Sequence, residues 1–179
     1  MTRAEAIAVL SEGLAPLGPF QEPTDPDTRQ TAWAASAGED AIDAMLDLLV
    51  HPPPPGAFPH STKDRFEYEI SHVLSLLAPR YPEALLRRAG PLLRHPLARA
   101  TIIEVLGALG NSAGLDWLAP LVSVDDLSEE EAARLACAIG EIGGSTAAAM
   151  LQRLRARTPH NQTRVLDEIE IAMAALSAH

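Results

Sequence analysis

The chain has 179 residues, 47% of them hydrophobic but only 4% aromatic, with a formal net charge of −10. That length and apolar content suffice for a sizeable buried core, built from Leu, Ile and Ala, which pack helix against helix at little propensity cost. The acidic balance argues against binding to phosphate backbones, which depends on cations, while remaining compatible with a basic partner. A single cysteine, Cys137, excludes an intrachain disulfide. The N-terminal Met1-Thr2-Arg3-Ala4-Glu5 lacks the basic stretch and apolar run of a secretory signal, and no segment approaches a membrane span, so a cytoplasmic location is expected.

In chain order, residues 3–15 form a first helix and Pro16, Pro19, Pro23 and Pro26 mark a loop over 16–27. An incomplete helix follows over 27–37. Ala44-Met45-Leu46 echoes Ala149-Met150-Leu151, which aligns Gly38 with Gly143. Residues 52–62, with Pro-Pro-Pro-Gly-Ala-Phe-Pro inside them, read as a second, inserted loop.

Beyond that loop one apolar triplet recurs four times: Ile70-Leu74-Leu77, Ile102-Leu106-Leu109, Leu135-Ile139-Ile142 and Ile169-Met173-Leu176. Successive first members stand 32, 33 and 34 residues apart, a period that marks a helical repeat array. Within a triplet the spacing of four and then three puts the side chains on one helix stripe. A second apolar helix falls between successive triplets, at 82–95, 112–124 and 145–157. The reading is a single all-α domain over 1–179, an α-solenoid of about five antiparallel helical pairs in a right-handed stack. Gly110, Gly143 and Gly144 follow triplet helices where positive φ ends a helix. Ser112 and Ser145 are the expected N-caps of the next helices, and Ser128 with Glu131 is an expected capping box.

Arg99, the run Ile103-Glu104-Val105-Leu106-Gly107-Ala108-Leu109-Gly110 with Ala113, Leu115 and Leu118, and then Ala138-Ile139-Gly140-Glu141-Ile142-Gly143, resemble two HEAT-type repeats of the short bacterial, phycobilisome-lyase-like variety. The resemblance implies a HEAT-like superhelix whose concave wall is the usual partner site, and is nearly silent on activity. On that basis the triplet helices line the inner wall. Half a turn from the triplets stand Arg65, Tyr68 and His72, then Glu104 and Gly107, then Glu130, Ala133, Cys137 and Gly140, then Arg164, Asp167 and Ile171. The small residues make the wall centre shallow, either to admit a partner or to let neighbouring helices approach.

Arg65, Tyr68 and His72 are the richest polar cluster and, with Glu104 and Glu130, the candidate partner-binding residues. Glu104 and Glu130 favour a positively charged partner. Arg80, Arg87, Arg88 and Arg94 give a basic outer face. His51 and His95 recur in matching Leu-Leu-x-His-Pro sequences and read as helix-terminus residues rather than metal ligands, and Cys137 as a small filler. No histidines stand at metal-ligand spacing on one helix, and no His-Glu dipeptide of the kind found in di-iron HEAT hydroxylases occurs. The expectation is a non-catalytic protein–protein interaction module, a scaffold, adaptor or antidote-type binder with no cofactor, no metal, no nucleic acid and no membrane. The alternatives are an enzyme or lyase subunit on the same scaffold, or a structural subunit that associates end to end through Ile171.

Overall fold

In the computed structural model, residues 2–14, 26–54 and 63–177 are described, with the side chains of 11–14, 26–29 and 63–65 left aside. The chain is all-α among these residues. Ten α-helices follow one another: α1 (Arg3–Leu14), α2 (Pro26–Ser36), α3 (Asp40–Val50), α4 (Lys63–Leu77), α5 (Pro82–Ala89), α6 (Arg99–Leu109), α7 (Ala113–Leu118), α8 (Glu129–Ile142), α9 (Gly144–Arg157) and α10 (Thr163–Ser177). Most of the loops expected over 16–27 and 52–62 lies outside the described residues. The first ends earlier than expected, because Pro26 is not a loop residue but opens α2, where its missing N–H costs nothing.

The chain divides into two compact units, Met1–Arg88 and Ala89–His179. Each closes a core of its own. In the first, α1 packs on α3 and α4, and α2 and α3 both pack on α4. Leu10, Ile42, Met45, Leu48, Ile70, Leu74 and Leu77 are fully buried there. The offset that aligns Gly38 with Gly143 places Gln30, Ala34 and Ala37 opposite Leu135, Ile139 and Ile142. The first triplet position of this helix is thus polar, and the structure compensates it: Gln30 Nε2 donates to the buried Glu69 Oε2 of α4 at 3.0 Å. A buried amide and carboxylate satisfy one another where the later triplets begin with Ile or Leu at the Gln30 position.

In the second unit α8 lies between α6 and α10 and packs along both. The intervening helices α7 and α9 also pack on α8, and α9 on α10. The triplet residues Ile102, Leu106, Leu135, Ile139 and Ile169 are fully buried, with Leu115, Leu118, Met150 and Leu151 buried among the intervening helices. Two of the expected intervening helices do not run as single α-helices. They tighten into 3-10 helices at Gly90–Arg94 and Ala119–Ser123. Pro91 and Pro120 sit at the starts of these segments, where a proline removes an i→i−4 hydrogen bond and clashes with the preceding turn.

The helix ends follow local chemistry. Gly110 has φ 62° and closes α6 with a bond from its N–H to Gly107 O at 2.9 Å. Ser128 and Glu131 form the expected capping box, with Glu131 N–H on Ser128 Oγ at 3.2 Å and Ser128 N–H on Glu131 Oε2 at 2.9 Å. Ser112 precedes α7 but makes no side-chain cap; Asn111 Oδ1 accepts from Ala113 N–H instead, at 2.9 Å. Ser145 lies inside α9, because Gly143 (φ 78°) takes the N-cap position, without a side-chain cap, and Gly144 (φ 85°) opens the helix.

Arg99 ties α6 to the start of α8. Its Nε and Nη2 meet Glu131 Oε1 and Oε2 at 2.7 and 3.2 Å, and both side chains are only 12% exposed. Burial pushes the Glu131 carboxyl up, but the Arg99 guanidinium and the Ser128 N–H and hydroxyl outweigh it and hold it below the ordinary carboxylate range. A pKa lowered by folding stabilises fully above the unfolded value and fades as pH falls through the folded one. Arg99→Ala should therefore destabilise the protein by about 3 kcal/mol at neutral pH, by stranding a buried carboxylate. Urea unfolding should show that deficit shrinking as the solution is acidified through and below the ordinary glutamate range.

Candidate functional site

The five residues singled out for partner binding fall into two groups, one in each unit. Arg65 belongs to α4 by its backbone, and its side chain lies outside the described residues. Tyr68 and His72, one turn apart on α4, stack with ring centroids 6.2 Å apart and planes at 6°. Tyr68 is 64% exposed, whereas His72 is half-buried beneath it. The i, i+4 spacing sets this stack, and α4 itself is anchored by Phe66, Ile70, Val73 and Leu74 on its buried face.

Glu104 and Glu130 are not free carboxylates. Arg134 of α8 bridges them, with Nη1 on Glu104 at 2.7 Å and Nε on Glu130 at 2.9 Å, and Arg164 of α10 reaches Glu130 from the other side. The result is a ladder across α6, α8 and α10. The Arg134 hydrogen bond is the largest influence holding the Glu130 carboxyl below its usual value, with Arg164 adding to it against the opposing cost of burial. Both carboxylates are thus ion-paired within the unit.

The shallow centre of the expected wall is also closed. A Cβ on Gly107 would lie 2.5 Å from Glu141 Oε2 and 2.7 Å from Ala138 Cα, and one on Gly140 would lie 2.6 Å from Ala172 Cβ. Gly107 and Gly140 therefore face the neighbouring helix, and Ala133 is buried. Of the two accounts of these small residues, close approach of helices is the one the geometry carries. Gly107→Ala and Gly140→Ala should each cost about 1–3 kcal/mol by overpacking, read as a lower denaturation midpoint, although alanine is the better helix former.

Cys137, expected as a small buried or half-buried filler, is exposed, with Sγ 3.8 Å from Glu141 Oε1. Desolvation, with Glu141, Glu168 and Glu104 nearby, pushes its thiol up, which disfavours the nucleophilic thiolate. Desolvation likewise raises the Glu141 carboxyl, against the Cys137 hydrogen bond. His51 ends α3 as expected: its N–H donates to Asp47 O, its Nδ1 lies 2.9 Å from Asp47 Oδ1, and Arg3 bonds both Asp47 and the His51 carbonyl.

The arginines read as a basic outer face have structural work that the sequence pattern did not signal. Arg80 Nη1 donates to the carbonyls of Ala34, Ala35 and Ala37 at 2.7, 2.6 and 3.1 Å, closing the C-terminal end of α2. Tyr81 OH donates to Ala37 O at 3.0 Å, and the Arg80 guanidinium lies 5.1 Å from the Tyr81 ring centroid. Arg88 donates to Glu39 O at 3.0 Å and pairs with Glu39 and Asp43 at 2.7 and 3.0 Å. The short α2–α3 connection is thus held at both ends by side chains more than forty residues away in sequence.

Among the described residues no group of three or more His, Cys, Asp or Glu is placed to hold a metal ion, and no helix is long and apolar enough to cross a membrane. Compared with family models, curated proteins and solved structures, the chain matches none of them.

Proposed function

We propose that the chain is a non-catalytic protein-binding module, an α-solenoid of HEAT-like pairs that holds a protein partner on α4. The repeat period and the packing of α8 between α6 and α10 support the solenoid reading. A single observation carries the choice of surface: Tyr68 is two-thirds exposed and stacks parallel to the His72 ring, centroids 6.2 Å apart, which favours one orientation of the ring before a partner arrives. An exposed aromatic with a polar tip and little freedom to lose is the residue type most enriched at binding hot spots. The scaffold, adaptor and antidote versions of this role share that surface. With a net charge of −10, association is fastest with a basic partner.

The test is co-purification with the tagged chain, followed by affinity measurement on the captured protein. Tyr68→Ala should weaken binding by more than about 1 kcal/mol, the usual hot-spot threshold, with helicity by circular dichroism unchanged. His72→Ala should weaken it less, by freeing the Tyr68 ring, and Arg65→Ala should also reduce it. Unchanged affinity in all three moves the contact off α4. A second reading, end-to-end self-association, is favoured by Ile171, a β-branched side chain 64% exposed on α10. Light scattering on the wild type and on Ile171→Glu distinguishes it, since a monomer unaffected by the substitution excludes this route.

A further inference from the structure

In the second unit, the turn from α9 into α10 lies against the segment that leads from the 3-10 helix Ala119–Ser123 into α8, and a cleft of about 180 Å³ opens between them. Its lining lies wholly within residues 122–162, all of which are described. The buried Val122, Ala132 and Leu154 and the half-buried Val124 and Leu127 make apolar walls. Asp125, Arg157 and Gln162 supply a polar rim, together with Thr158, whose hydroxyl donates to Leu154 O at 2.8 Å. Arg157 Nη2 donates to Ser123 O at 3.1 Å and pairs with Asp125, so the guanidinium ties the end of α9 to the opposite wall and leaves the rim without net charge. The backbone N–H of Gln162 is held by Pro159 O at 3.0 Å, but its carboxamide makes no hydrogen bond among the described residues.

Volume decides the size of what can enter. An apolar cavity of roughly 150 Å³ accepts a six-carbon ring, whereas sites for whole cofactors and drug-sized molecules run from about 300 Å³ upward. A cleft of about 180 Å³ thus admits one aliphatic side chain with the backbone unit that carries it. The neutral rim disfavours ions, because a cation meets Arg157 beside Asp125, an anion meets Asp125 beside Arg157, and either gives up its hydration. A peptide unit suits it better. A carboxamide presents a donor and an acceptor side by side, so Gln162 can pair with the C=O and N–H of one extended backbone, and no existing bond has to break first. We propose, on the reading of the chain as a protein-binding module, that this cleft takes one leucine or isoleucine side chain from an uncharged stretch of a protein partner, with Gln162 paired to the backbone beside it. Preorganisation favours this contact, since Arg157 already fixes the two walls.

The test is titration of the full chain with acetyl-Leu-methylamide, followed by the methyl resonances of Leu127 and Leu154 and the side-chain NH₂ of Gln162. Saturable shifts at all three are expected. The alanine counterpart, which lacks three of the carbons to be buried, should bind at least about tenfold more weakly. Gln162→Ala should weaken the leucine peptide about fivefold through the lost backbone pairing. Because the Gln162 carboxamide holds nothing in the fold, that variant keeps its helices, and unchanged circular dichroism checks this directly. No saturable shift, equal binding of the alanine peptide, or unchanged affinity in Gln162→Ala overturns the proposal. Tighter binding of isovalerate or of acetyl-Lys-methylamide overturns it by making the site one for ions, and tighter binding of free leucine by making the ligand a small metabolite. The readout involves neither Tyr68 nor a captured partner, so failure here counts against the cleft and leaves the α4 surface to its own test.

Discussion

The close approach of helices at Gly107 and Gly140 is the constraint on which the second unit depends. These glycines stand 33 residues apart, and each puts bare backbone against an alanine of the next triplet helix, Ala138 in one case and Ala172 in the other. A missing Cβ shortens the distance between helix axes, and that brings the triplet leucines and isoleucines of both helices into one continuous apolar layer. The same proximity makes the polar ladder possible. Arg134 spans from Glu104 to Glu130 because α6 and α8 are near enough for one side chain to serve both. The period of the repeat is thus a period of contact: what recurs is the set of residues that lets one helix lie on the next.

Charge is organised by the same rule. The chain has fourteen basic residues against twenty-four acidic ones, and most described arginines are committed to partners within their own unit. Exposed pairs of this kind contribute little stability singly, and only Arg99–Glu131 is buried enough to matter much. Their larger effect is on what the surface offers. With the cations engaged, the acidic excess sets the field that an approaching molecule meets, and that field repels phosphate and draws in basic groups.

The helices were legible in the sequence because helix formation and burial are both local in pattern. The triplets, the intervening helices, Gly110 as a C-cap and Ser128–Glu131 as a capping box all follow from spacing within a dozen residues. What sequence could not supply were pairings between distant residues. Glu131 reads as a cap, and nothing in Ser-x-x-Glu indicates that Arg99 also requires it. Arg80 and Arg88 read as a solvated basic face, and their acceptors are backbone carbonyls of α2 and the α2–α3 connection, which carry no side-chain signature at all. Ser145 failed as a cap for a local reason: Gly143 already stands at the N-cap of α9, so Ser145 falls within its first turn. Gln30 shows a different limit, since a polar residue at an apolar position reads as a broken repeat until Glu69 is seen opposite it.

These pairings also decide where the chain has recognition chemistry left to use. In the second unit, Arg134 and Arg164 neutralise Glu104 and Glu130, and the glycines that suggested a groove are filled by the adjacent helix. In the first unit, the long-range arginine contacts act in the opposite sense. Arg80 and Arg88 reach the α2–α3 connection through its backbone and through Glu39 and Asp43, while Tyr68 on α4 stays exposed. A side chain held by its own scaffold loses little entropy on binding, whereas one already paired must give up a partner first. By that criterion the exposed Tyr68 of the first unit loses less on meeting a partner than the ion-paired Glu104 and Glu130 of the second.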